Sequence, residues 1–282
     1  MKERSLFVRK LNNRIIAGLS GFSALLGLFI LGWILYTVFL RGFMAFNASF
    51  FTELPNPPGM SGGGLANAML GTVLLTLLAT VLGVPIGLLA GIFLSEFGQR
   101  SKFAQAVRFF SNILMGTPSI IIGVFVYTLL VVPVGHFSGY SGAVALAIMM
   151  LPVVARTTED MLQMVPSALR ESALALGTPR WKTTFNVVFR GAKTGLITGV
   201  LLAVARVSGE TAPLLFTALN SPYWPTNLAN STANLTVTIF NYAMSPYEDW
   251  QQMAWGASLL ITFGVLAVTL ITRFALKERK TG

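Results

Sequence analysis

Six stretches of this sequence are apolar and continuous, covering residues 15–40, 66–94, 109–132, 142–154, 195–219 and 253–271. A helix needs about 20 residues to cross the roughly 30 Å hydrocarbon layer of a bilayer. Five of the stretches meet that length, and the fourth meets it if its helix runs on into ARTTED, residues 155–160. With no water to pair its amides, a chain crosses hydrocarbon only as helices or as a closed barrel. Barrel strands alternate polar and apolar residues over about ten positions; these runs do not alternate. The expected fold is therefore all-α, a polytopic membrane protein with six transmembrane helices. The composition agrees, with 54% apolar and 11% charged residues and a mean hydropathy of +0.70. The first stretch follows a basic segment but is too long for a signal-peptide core, and no small-residue cleavage pattern follows it, so it reads as an uncleaved anchor.

Charge sets the orientation. Of 20 Lys and Arg, five lie in the N-terminal segment, three at 99–108, six at 156–193 and four from Arg273 onward. These 18 share one side of a six-span chain, which the positive-inside rule makes the cytoplasm, with both termini there. Arg41 edges an external loop and Arg206 lies within a span. A net charge of +10 is met by anionic membrane lipid, and no nucleic-acid role is expected. The chain has no cysteine and one histidine, His136 in a short loop, which excludes disulfides and thiolate metal sites. No GxxxxGK[ST] loop is present, so nucleotide hydrolysis is not expected in this chain. The spans hold no paired aspartates and no Ser/His couple of the kind an intramembrane enzyme needs. The segments 41–65 and 220–252, rich in Gly, Pro and Asn, read as external loops.

Three spans carry a proline, at Pro85, Pro118 and Pro152, and each is expected to kink or break its helix. In the basic loop, PSALRESALALGTPRWKTTFNVVFR (166–190), Ser167 is an N-cap candidate, Glu171 falls in the first turns and Gly177 is a stop. Thr178 followed by Pro179 is a second start signal. The expectation is two short helices hinged at Gly177. A helix of about ten residues is marginal in water unless something holds it. Spacing alone serves equally a helix lying on its own spans and one docked in a partner's groove.

The segment ARVSGETAP (205–213) places Arg206 and Glu210 four residues apart in an apolar run, so they are expected to project from one face of the fifth span and to reach each other. Counted from Lys193 at about 1.5 Å per residue, Arg206 lies roughly 20 Å into the membrane. A charge there costs at least about 2.5–3.5 kcal/mol, so the pair is expected to face protein or water. Ser208 and Thr211 add hydroxyls nearby, and Gly209 leaves room for a neighbouring backbone. A buried ion pair that only fixes helix packing is the alternative role.

ESALALGTPRWKTTFNVVF resembles the cytoplasmic EAA loop of ABC-importer permeases. The matching residues are Glu171, Ser172, Ala173 and Gly177, with Val187 and Phe189 in the later apolar positions and Arg190 where that pattern ends in proline. GTPSIIIGVFVY (116–127) and ARVSGETAPLLFTAL (205–219) resemble permease subunits of phosphate importers, the second most like the PstA type.

The resemblance implies a type I ABC-importer permease fold in the bacterial cytoplasmic (inner) membrane. Residues 1–65 would supply the N-terminal segment, first helix and first external loop, and residues 66–282 the permease core with its coupling loop at 159–192. It further implies inorganic phosphate as cargo and a homologous second permease subunit of the PstC type. Two copies of an ATP-binding subunit of the PstB type would hold ATP and Mg, with no cofactor in this chain. An external phosphate-binding protein of the PstS type would deliver the cargo. On this reading Arg206, with its permanent charge and planar fork of donors, suits the oxyanion. Glu210 neutralises it when the pathway is empty, or donates if protonated, and Glu171, Ser172, Ala173 and Gly177 couple to the ATPase. A permease for another oxyanion, such as sulfate or molybdate, is the alternative within this class.

Overall fold

The structure, a computed structural model, describes residues 6–98 and 101–277. Lys2, Arg4, Arg100, Arg279 and Lys280, which enter the charge argument, lie outside the described residues. Among the described residues there are helices and no strand. The first span is α1 (Leu6–Phe43), followed by a short α2 (Ala48–Thr52), whose N-cap Asn47 accepts from the Phe50 amide. The second, α3 (Ala66–Ile92), runs on into a π turn at Phe93–Phe97.

The third crossing is not one straight helix. It is α4 (Lys102–Gly116) followed by α5 (Ser119–Val126), a π turn at Tyr127–Val131 and α6 (Val132–Val134), and the two halves meet at 106°. Gly116-Thr117-Pro118 supplies a helix stop and a proline together. Pro85 and Pro152, by contrast, sit inside unbroken helices, so only one of the three prolines breaks its span.

The fourth span, α7 (Gly139–Gln163), does continue through ARTTED. Beyond it lie α8 (Ser167–Ala175) and α9 (Arg180–Thr183), which joins through a π turn at Thr184–Val188 to α10 (Phe189–Ser208). The fifth span is thus Arg180–Ser208, 29 residues, displaced toward the N-terminus from the expected 195–219. Then come α11 (Ala212–Thr217), α12 (Leu235–Ala243) and α13 (Glu248–Lys277). Among the described residues five helices are long and apolar enough to cross a membrane, or six if the bent pair is one span.

The core forms where α3 and α7 run side by side in the same direction. Gly83, Gly87 and Gly91 make a small-residue stripe at spacing four on α3. A Cβ on Gly83 would lie 3.1 Å from the Ala147 carbonyl oxygen and one on Gly87 2.8 Å from Val154 Cβ, while one on Gly91 would run into Thr158. Small residues let helix backbones approach in lipid, where hydrophobic association is absent and van der Waals packing must hold helices together. Leu75, Ala79, Leu146, Met150 and Val154 are buried at this seam, with Ala203 and Val207 of α10 against it. Gly195 and Gly199 bring α10 onto Met161 and Thr157 of α7. Outside this core α1 rests on α13, where Arg41 lies 5.1 Å from the Trp255 ring centroid.

Residues 220–252 are more than a surface loop. Asn234 caps α12 by accepting from the Val237 amide, and Leu235, Val237 and Tyr242 are buried. The Leu235 amide donates to Thr72 Oγ1 of α3 at 2.8 Å, and the Ala233 carbonyl packs against Gly71. The chain therefore dips back between the spans before α13.

Candidate functional site

The run around Arg206 is a broken helix. Pro213 has no amide hydrogen and its ring would clash with the carbonyl four residues back, at Gly209, so α10 stops at Ser208 and α11 starts anew at Ala212. Gly209 caps α10, its amide donating to the Arg206 carbonyl at 3.2 Å, and the Glu210 amide donates to the Val207 carbonyl at 3.2 Å. Ser208 Oγ donates to the Ala205 carbonyl at 2.8 Å, and Thr236 Oγ1 of α12 donates to the Glu210 carbonyl at 2.8 Å. The carbonyls freed by the break thus find donors within the protein, the condition for irregular backbone at membrane depth. The Thr217 carbonyl of α11 accepts from the amide of Ser138, the N-cap of α7, at 3.0 Å, so α11 ends beside the start of α7.

This geometry corrects the expected ion pair. Glu210 lies past the end of α10, so the four-residue spacing does not put it on the Arg206 face. Among the described residues no ion pair joins the two. Arg206 sits in the last turn of α10, where the helix dipole favours a cation, and its side chain is exposed on the surface of the chain. Glu210 is half-buried in the break. Ser208 spends its hydrogen on the backbone, whereas Thr211 makes no side-chain cap bond at the start of α11. No other segment of this chain approaches Gly209, which is exposed: a Cβ there would meet only the Arg206 carbonyl, at 3.7 Å. Wherever it meets the hydrocarbon layer, a guanidinium with no ion pair among the described residues requires water or a second protein opposite it, because acyl chains are too costly.

The second candidate region is α8. Glu171 and Ser172 are exposed, Ala173 is half-buried, and no residue of α8 is fully buried. Gly177 has φ +79, the left-handed conformation that closes the helix while the Thr178 amide donates back to the Ala173 carbonyl at 3.2 Å. The start signals differ from expectation. Pro166, not Ser167, precedes the first turn, and Pro179 occupies the N-cap before Arg180. The segment after Gly177 is the beginning of the fifth span rather than a second short helix.

What holds α8 was invisible in the local pattern. Arg170 donates to Glu96 at 2.8 and 3.2 Å and to the carbonyls of Leu162 and Val165, each at 2.6 Å. Leu169, Leu174 and Leu176 remain exposed. One turn away, Glu159 of α7 is 1% exposed and accepts from Arg108 at 2.7 Å and from Gln163 at 3.1 Å, with Arg156 at 3.5 Å. Arg108 also donates to the Leu94 carbonyl at 2.8 Å. ARTTED carries the i,i+3 spacing of Arg156 and Glu159, but the main partner, Arg108, is 51 residues away. Glu159→Ala strands Arg108 in a half-buried site and should destabilise the chain by about 3 kcal/mol, read as a lower melting temperature in detergent.

Residues 83–277 match the family described as "Binding-protein-dependent transport system inner membrane component". The fold is thus that of an importer's membrane-embedded permease. The chain is 48% identical to the phosphate transport system permease protein PstA of Yersinia pestis, over 96% of this chain and 92% of that one. It is 47% identical to PstA of Haemophilus influenzae, over 96% of each. The chain belongs to this PstA family of inner membrane permeases. A permease chain of the bacterial alginate ABC transporter, solved in complex with an alginate pentasaccharide-bound periplasmic protein, shares the fold with a TM-score of 0.68 at 14% identity, covering 99% of this chain and all of that one.

Proposed function

We propose that this chain forms one half of the route by which an ATP-driven importer carries inorganic phosphate across the bacterial inner membrane. The observation that carries this reading is the exposed guanidinium of Arg206, without an ion pair among the described residues, at the break between α10 and α11, in a chain whose relatives are named for phosphate transport. A homologous second permease of the PstC type would face Arg206 and close the pathway. Arg206 would offer its fork of donors to the anion, and the Thr211 hydroxyl a further donor. Glu210, half-buried in the break, would repel the anion while ionised and donate a hydrogen bond to it if protonated. Ser208 contributes an acceptor only.

The basic end of the bundle, with both chain termini, faces the cytoplasm by the distribution of Lys and Arg. There α8, with Glu171, Ser172, Ala173 and Gly177, would dock on the ATPase, two copies of a PstB-type subunit holding ATP and Mg. An external PstS-type protein would deliver phosphate at the opposite end. The names of the relatives favour phosphate over sulfate or molybdate.

The full complex reconstituted in liposomes tests the reading. Radiolabelled phosphate should enter only with ATP on the ATPase side and with the loaded external protein opposite, while labelled sulfate stays out. Uptake without ATP, or equal uptake of sulfate, contradicts it.

A further inference from the structure

The element that would receive the ATPase has almost no packing of its own. No residue of α8 is buried, and a cavity of about 240 Å³ lies behind it, lined by Glu96, Phe97, Leu174, Arg180 and Thr184 with Arg170. A helix without an apolar seat transmits force only through covalent links and specific bonds. Its covalent links are the turn after α7 and the Gly177 hinge. It also lies against the π turn Thr184–Val188, and its side-chain hydrogen bonds to the spans come from Arg170, which makes two bonds to the Glu96 carboxylate and two to the carbonyls closing α7. Glu96 is only 11% exposed and Arg170 22%, so water screens the pair weakly.

Glu96 belongs to the π turn Phe93–Phe97, the terminal turn of the span that carries the glycine stripe. Arg108 of α4 donates to the Leu94 carbonyl of the same turn and to Glu159 of α7. Two arginines thus grip one wide turn at residues two apart, Leu94 and Glu96. π turns recur at functional positions because the extra residue makes the helix locally adjustable.

We infer that the Arg170–Glu96 pair is the joint through which movement of α8 reaches α3, with the π turn as the part that moves and Arg108 as its anchor on α4 and α7. Arg170 and Glu96 are positioning residues, joined to each other and to the ends of α3 and α7. The inference rests on the reading of α8 as the ATPase contact. Without this joint, a stroke of the ATPase would swing α8 about Gly177 into the cavity behind it and leave α3 where it was.

The test uses the whole complex in liposomes, with ATP hydrolysis, its stimulation by the phosphate-loaded external protein, and phosphate carried per ATP all measured. In Arg170→Gln the subunits should co-purify and basal hydrolysis should persist, while stimulation and phosphate per ATP fall at least tenfold. Glu96→Gln, which leaves the carbonyl bonds of Arg170 in place, should fall in the same direction by a smaller factor. The reversal Arg170→Glu should abolish coupling, and adding Glu96→Arg should restore a measurable part of it. A merely structural contact would change yield without changing phosphate per ATP. Unaltered coupling in both neutral variants overturns the inference, as does a double reversal no better than Arg170→Glu alone. If Arg170→Gln does not assemble, Glu96→Gln and the double reversal decide. A wild-type complex whose hydrolysis ignores the loaded external protein would instead refute the ATPase reading, before any variant is compared.

Discussion

Arg206→Gln should lower ATP-driven phosphate uptake by roughly 100-fold or more, the scale seen when a donor aimed at an oxyanion is removed from a low-dielectric site. The complex should still assemble. Arg206 makes no ion pair among the described residues and its side chain is exposed. Its removal therefore strands no carboxylate and opens no cavity within the chain. Had the pair with Glu210 formed, the same change would have left a buried anion alone, and lost uptake would be confounded with lost folding. Arg206→Lys keeps the charge and loses the planar fork, so its uptake should fall between wild type and Arg206→Gln. Initial uptake rates in liposomes, normalised to co-purified complex, make the comparison.

Gly87→Leu should abolish the folded chain rather than its transport. The substituted Cβ would begin 2.8 Å from Val154 Cβ and 3.1 Å from the Leu151 carbonyl, before the rest of the side chain is accommodated. Overpacking a tight core costs about 1–3 kcal/mol when neighbours can shift. Here the obstacle includes the backbone of α7, so the helices must separate, and Leu75, Ala79, Met150 and Val154 lose contact together. Gly87→Ala should give a partial loss. Gly21→Leu on α1, where nothing of the chain lies within 4 Å, should be silent. Recovery of monodisperse protein in detergent is the readout, and full recovery of Gly87→Leu would contradict the packing account.

The spans were legible because continuous apolar runs have few other uses, and the extension of the fourth through ARTTED followed from its length alone. Proline was a weaker guide. Pro118 ends a helix beside Gly116 and Thr117, whereas Pro85 and Pro152 stay within helices pressed together along the glycine stripe. In the fifth span hydropathy masked the punctuation. Gly209 and Pro213 were both visible as stop and start signals, yet the apolar residues around them read as one helix and made the spacing of Arg206 and Glu210 look like contact. The helix at Leu235–Ala243 was hidden by the turn-rich residues ahead of it. The tether of α8 had no local signature, since Arg170 and Glu96 stand 74 residues apart and meet only because the ends of α3 and α7 lie together. The glycine stripe, by contrast, was present at spacing four and detectable by counting.

The central claim is that Arg206 borders an aqueous route for the anion. The absence of cysteine from the chain makes it directly measurable. In the assembled complex, single Arg206→Cys and Thr211→Cys variants would be exposed to a membrane-impermeant thiol reagent, with and without phosphate. The account predicts labelling at both positions, and phosphate slowing it at Thr211→Cys, where Arg206 is still present to hold the anion. Reaction at position 206 with lipid-soluble reagents alone, and none with the impermeant one, would put this face against acyl chains and contradict it.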